Sequence, residues 1–213
     1  MISNRYPQSA QRLSGFTLIE LIVVIAIIAV LAAIIAPNAF KAIRKAQISK
    51  TVTDMKALKT GILAYYADTG RYPDPFYFRV NGYGHRNNGC ASYSFSNPPL
   101  MANEDNVAGW DGPYVDKALR SPLVHDYVTG GYTYPGTYWI GGTSCYSQSF
   151  DFNGDGSADV TGAVSIQLAG LETIDALAVD NVFDAGGGRI GTNGSMNVVQ
   201  SSDYCYIYYY VGI

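Results

Sequence analysis

The chain has 213 residues, 48% of them apolar and 15% charged, with a net charge of −3. A charged fraction well below the usual quarter argues against a disordered chain, and a slightly acidic balance argues against a general nucleic-acid binder. Three Cys are too few for a small domain built on disulfides, and the length suits one ordinary domain with an appendage.

Residues 1–15 read as a short polar leader carrying Arg5 and Arg12. Leu21 to Ala36 then form sixteen consecutive apolar residues, and extension back to Phe16 meets only Thr17 and Glu20 as interruptions. At ~1.5 Å per residue, a helix over 16–36 is ~31 Å long, about one bilayer core. A membrane span is expected there, with the basic leader held in the cytoplasm and the rest of the chain outside it. A cleaved secretory signal fits less well, because no small-residue site closes the apolar run and it leaves Pro37 and a long helix unexplained. Glu20 needs a reason. A carboxylate costs ~2.5 kcal/mol or more at the centre of a span, so such a residue is by default functional and has a partner. Cleavage after Gly15 would create one, the α-amino group of Phe16.

Gly15-Phe16-Thr17-Leu18-Ile19-Glu20, followed by an aliphatic run, resembles the processing site of type IV pilins and type II secretion pseudopilins. The resemblance is tightest over residues 11–75. It implies cleavage after Gly15 by a dedicated prepilin peptidase and N-methylation of Phe16. It also implies that Glu20 docks each subunit onto its neighbour's terminus in a filament, and that Pro37 corresponds to a proline found in these stems. The partners implied are other copies or related pilins and an assembly platform in the inner membrane. The precursor would sit in that membrane as a single-pass protein, and the filament would be periplasmic or extracellular.

Beyond the span, Phe40, Ile43, Gln47/Ile48, Val52, Met55, Leu58, Ile62 and Tyr65/Tyr66 recur every three or four residues, an amphipathic helix able to lie on a sheet. The stem is expected over 16–67, ending near Gly70 with Pro73 just beyond. Pro37 removes one amide donor at a cost of ~3 kcal/mol inside a helix. It reads either as a simple kink or as a stretch that melts when subunits pack. Residues 16–67 carry six Lys/Arg and two Asp/Glu, whereas 68–213 carry six and fifteen. The basic stem could meet acidic neighbours in an assembly, or lipid phosphates before it.

Residues 68–213 read as a β-rich head, with Gly, Asn, Ser and Pro marking turns every few residues. Tyr132–Ile140 and Tyr204–Val211 alternate as strands. In the second, Tyr204, Tyr206, Tyr208 and Tyr210 share one face and Cys205, Ile207, Tyr209 and Val211 the other. Leu168–Asp184 reads as a short helix with acidic residues. The fold expected is α+β, a long N-terminal helix packed on an antiparallel sheet. Thr69-Gly70-Arg71-Tyr72-Pro73, Gly109-Trp110-Asp111-Gly112-Pro113-Tyr114-Val115 and Ser121-Pro122-Leu123 before a hairpin at Gly130-Gly131 look like the head of the major pseudopilins.

Asp151, Asn153, Asp155, Gly156, Ser157 and Asp159 follow the pattern of a Ca²⁺ loop, with oxygen donors at positions 1, 3, 5, 7 (the Ser157 carbonyl) and 9 and Gly at 6. Position 12 is Gly162, so Glu172, Asp175 or water would have to complete the shell. Plain Asx turns are the alternative. Cys90, Cys145 and Cys205 lie on the side where disulfides persist. A Cys145–Cys205 bond would tie down the last strand as in many pilins; Cys90–Cys145 is the other pairing considered. His85 and His125 have no metal spacing, no nucleophile elbow or phosphate loop occurs, and 186–191 fits GxGxxG without the strand and helix that motif needs.

The expectation is a non-catalytic filament subunit, of a pilus-like fibre or, alternatively, of a type II secretion pseudopilus. From another class, the head could be a membrane-tethered calcium- or sugar-binding module that never polymerises.

Overall fold

One helix, α1, occupies Leu18–Thr69 in the computed structural model, which describes residues 15–77, 84–88, 91–95, 98–124, 127–129, 132–134, 138–141, 148–153, 155–184, 194–200 and 204–213. The chain divides into two units, Met1–Ile43 and Arg44–Ile213. In the first, α1 continues through Pro37. Its apolar residues are uncovered, from Phe16 at 85% exposure to Ile28 at 58% and Ile35 at 61%. This segment is long and apolar enough to cross a membrane.

In the second unit, the remainder of α1 lies on a sheet. Val52, Met55, Leu58, Ile62 and Tyr65 are buried at intervals of three and four, which is the stripe expected from the sequence. The stripe does not extend to Phe40 and Ile43, which are 71% and 54% exposed. Periodicity alone does not tell where the covering surface stops. Tyr66 is also outside the stripe and stacks on Tyr72 at 4.5 Å. The helix stops at Gly70, whose φ of +71° turns the chain and whose N–H is accepted by the Tyr66 carbonyl at 2.8 Å.

The strands follow as β1 (Phe76–Tyr77), β2 (Gly84–Asn88), β3 (Ala91–Phe95), β4 (Tyr127–Thr129), β5 (Tyr132–Tyr134), β6 (Tyr138–Gly141), β7 (Gln148–Phe150) and β8 (Val160–Leu171). Helix α2 (Thr173–Phe183), β9 (Met196–Gln200) and β10 (Cys205–Gly212) complete the chain. The main sheet runs β3-β2-β1-β6-β8-β10-β9, with β7 paired to β8; β4 and β5 form the separate hairpin expected at Gly130-Gly131. All pairings given are antiparallel, so the α+β expectation holds.

Two segments differ from expectation. Tyr132–Ile140 is two strands, β5 and β6, in different sheets; Pro135 within it has no N–H to give a continuous ladder. Leu168–Leu171 belongs to β8 rather than to the short helix, because it pairs with β10 through Leu168↔Ile207 and Leu171↔Cys205. Only Thr173–Phe183 of that stretch is helical.

On β10, Cys205, Ile207, Tyr209 and Val211 are buried and the alternate tyrosines half-buried. The buried face joins Tyr138 and Ile140 of β6 and Ile166 and Leu168 of β8 against α1. At the helix-sheet interface, the Tyr138 hydroxyl donates to Thr51 O and Asp54 Oδ2, both at 3.4 Å. Thr51 Oγ1 meets Ser121 Oγ at 2.9 Å. Lys59 of α1 donates to Tyr210 O of β10 at 2.9 Å, with its ammonium 4.7 Å from the Tyr209 ring.

These contacts set the alkaline stability of the head. Burial, reinforced by the Asp54 carboxylate, raises the Tyr138 phenol far above its ordinary range. Burial raises Tyr208 and Tyr209 as well. Unfolded tyrosines ionise near about pH 10. The folded state therefore holds protons that the unfolded state loses, and stability present below about pH 10 declines as pH rises beyond it. Lys59 acts oppositely: burial lowers its pKa, so its contribution improves as pH climbs toward the unfolded value of about 10.4. The melting temperature is expected to fall above pH 10, and Tyr138→Phe to make that fall shallower by about one proton. An unchanged slope in the variant would show that Tyr138 ionises normally.

Candidate functional site

The amino-terminal end of α1 is built by Thr17 and Glu20. The Thr17 N–H and Oγ1 both donate to Glu20 Oε2 at 2.8 Å, and the Glu20 N–H donates to Thr17 Oγ1 at 3.3 Å. Leu18 is the first helical residue, so Thr17 is the N-cap and Glu20 stands three positions in, a reciprocal capping box. Sequence reasoning assigned Glu20 to a neighbour and missed Thr17, although Thr17-x-x-Glu20 before an apolar run is the signal of this cap. The two roles are compatible. Both donor groups use Oε2, which leaves Oε1 as an acceptor. Gly15 and Phe16, at the expected cleavage junction, are exposed, and nothing lies within 4 Å of a Cβ placed on Gly15. Of the leader, residues 1–14 lie outside the described residues.

The Gly109–Val115 loop closes over the other end of α1. Gly109 takes φ +81° against the Asp68 carbonyl, where a Cβ would clash with backbone. The Tyr114 hydroxyl donates to Asp68 Oδ2 at 2.8 Å and accepts the Asp111 N–H at 3.0 Å. Trp110 Nε1 donates to Pro99 O at 3.0 Å. Gly61 lets the loop approach, since a Cβ there would stand 3.1 Å from Tyr114 O.

The acidic loop 151–159 forms Asx turns around Gly156 at φ +87°. Asp151 Oδ2 accepts from Gly156 N at 2.8 Å, Asp155 Oδ1 from Ser157 N at 2.8 Å and Asp159 Oδ2 from Phe152 N at 2.7 Å. The free oxygens of Asp155 and Asp159 converge instead on the Asn153 amide nitrogen, at 3.1 and 3.3 Å. Among the described residues no three His, Cys, Asp or Glu side chains are gathered closely enough to hold a metal. Glu172 and Asp175, expected as closing ligands, are bonded to Arg44 at 2.9 and 2.6 Å. These bonds raise the Arg44 pKa, the Asp175 bond most.

Cys205 is a buried free thiol, 3.5 Å from Thr173 Oγ1. Its side chain lies on the core face of β10. Cys90 and Cys145 lie outside the described residues.

Residues 11–36 match the family model of the prokaryotic N-terminal methylation motif. Residues 42–131 match that of the PilW C-terminal region. The chain is also 43% identical over 70 residues to the type II secretion system core protein G of Pectobacterium carotovorum subsp. carotovorum. The chain thus carries the prokaryotic N-terminal methylation motif and is similar to pilins and pseudopilins. The match to core protein G covers 33% of this pilin-like chain and 45% of that relative, so the chain spans under half the length of the curated relative it matches. No solved structure matches the pilin-like chain.

Proposed function

We propose that the chain is a structural, non-catalytic subunit of a type IV pilus-like filament. On this reading, it is made as a membrane-anchored precursor and cut after Gly15 by a prepilin peptidase. An inner-membrane platform then assembles it through the helix beginning at Phe16. The observation that carries this is the uncovered apolar run, Leu21 to Ala36, behind one carboxylate. A rod left uncovered by the described residues stays dry either in lipid or among identical rods. Within such a bundle the N-terminal ammonium of Phe16 supplies the counter-charge for Glu20, and an unpaired charge there is costly enough to select the register. Mass spectrometry of filaments sheared from cells tests it: abundant chain beginning at N-methylated Phe16 is expected. Chain that keeps its first fifteen residues would sink the reading.

The second reading, a pseudopilus subunit of a type II secretion system, is supported by the likeness to core protein G. It expects processed chain in membranes with none in the sheared fraction, and loss of protein export when the chain is deleted.

Calcium remains a proposal for the loop 151–159. Its support is chemical: Asp151, Asn153, Asp155, the Ser157 carbonyl and Asp159 are hard oxygen donors, and two of the carboxylates already face a single donor amide. Saturating Ca²⁺ at a hundred times Kd would add ~2.7 kcal/mol. That is ~5–11 °C in the melting temperature of a unit this size. The detergent-extracted subunit is expected to melt higher in Ca²⁺ than in chelator or Mg²⁺, and Asp159→Ala to abolish the difference. Equal melting in all three would refute the site.

A further inference from the structure

Helix α2 leaves a side uncovered. Ile174 is 64% and Val182 53% exposed, and with Ala178 they fall at i, i+4 and i+8 on one stripe. Of the acidic residues in 172–184, Asp175 and Asp180 are buried and Asp184 accepts from Ser195 and Met196, so Glu172, at the amino-terminal end of the stripe, is the exposed carboxylate. Glu172 is mostly exposed and meets Arg44 through Oε2, which leaves Oε1 able to take a second cation. The surface is therefore apolar with one exposed carboxylate, Glu172, at its end.

The same chain exposes a surface of the opposite kind. Phe40 and Ile43 on α1 are uncovered apolar residues, and Lys41 and Lys45 beside them are exposed. Phe40–Lys45 contains no acidic residue. Ion pairs among the described residues use Arg44 and Lys50 but neither Lys41 nor Lys45.

We infer that the exposed stripe of α2 docks the Phe40–Lys45 segment of a second copy of this chain. The apolar residues supply area, and an ammonium group of Lys41 or Lys45 meets the Glu172 carboxylate, which fixes orientation. Two different patches on one chain that complement each other make a heterologous contact. Such a contact adds copies in one direction and, unless the rotation closes a ring, builds an open helix of subunits. The inference rests on the filament reading and adds a head surface to it.

In cells that assemble the full chain, Ile174→Lys with Val182→Lys is expected to lower the yield of sheared filaments at least tenfold. Cleavage after Gly15 and the melting temperature of the extracted subunit should not change, since both side chains face solvent in the single chain. Adding Lys41→Glu and Lys45→Glu to that variant is expected to restore at least a third of the yield. Wild-type yield from the first variant overturns the surface. A loss that the stem changes fail to relieve overturns a second copy as its occupant and points to a different protein. Independently of charge, copies with Ile174→Cys mixed with copies carrying Lys41→Cys are expected to be joined by a short bis-maleimide only when both are present; no mixed adduct overturns the contact. If the unsubstituted chain makes no filament at all, it is the filament reading that fails.

Discussion

Glu20→Gln is expected to leave the precursor cleaved at Gly15 and to reduce filament yield by about a hundredfold or more. Gln is chosen over Ala because Glu20 caps its own helix besides the proposed pairing with a neighbour. Its Oε2 accepts from the Thr17 amide and hydroxyl and closes the first turn of α1. Gln serves in capping boxes as Glu does, so the helix start survives the change. The charge does not. In a dry filament core, removing one partner of a buried ion pair leaves an uncompensated charge, at ~3–5 kcal/mol. Each ~1.4 kcal/mol is a factor of ten in association. Ala removes the cap too, so its loss should exceed that of Gln by the ~1 kcal/mol of a cap. Immunoblotting of cell and sheared fractions checks both variants. Wild-type filaments from Glu20→Gln, with a deficit in Glu20→Ala, would mean that the residue acts only as a cap on its own helix.

The parts of this structure legible in the sequence are those where one period dominates. The helix that starts before Leu21 and ends at Gly70, the stripe from Val52 to Tyr65 and the alternating faces of Cys205–Val211 each follow from spacing. What was not legible depends on a partner distant in sequence. Phe40 and Ile43 continue the helical period but lie uncovered in the single chain. Leu168–Leu171 has helix-forming Leu and Ala, yet its pairing with β10 makes it strand. Asp175 looked available to a cation until the fold brought Arg44 against it. Thr17 was different. Its signal was local, and reading Glu20 only as an intermolecular group hid it. The processing junction was read from GFTLIE, and the methylation-motif match over 11–36 covers it.

Two isoleucines in one helix should respond to the same substitution in opposite ways. Ile62 is fully buried between α1 and the sheet, among Leu58, Tyr65 and their neighbours. Ile62→Ala removes three carbons from a packed core and leaves a cavity, at ~3 kcal/mol. The extracted subunit should then melt ~6–12 °C lower. Ile28 is 58% exposed, and on the filament reading lipid or another copy covers its surface. Ile28→Ala should leave that melting temperature within the ~0.5 kcal/mol of an ordinary surface change. Insertion should persist, because fifteen of the sixteen apolar residues from Leu21 to Ala36 keep their size. The cost should appear only in assembled filaments, as breakage at lower shear, where neighbouring rods would bury the missing methyl groups. Calorimetry of the subunit and shear assays of the filament separate the two outcomes. Equal melting losses in both variants would mean that Ile28 has a partner within its own chain, and the apolar rod would no longer require an assembly to keep it dry.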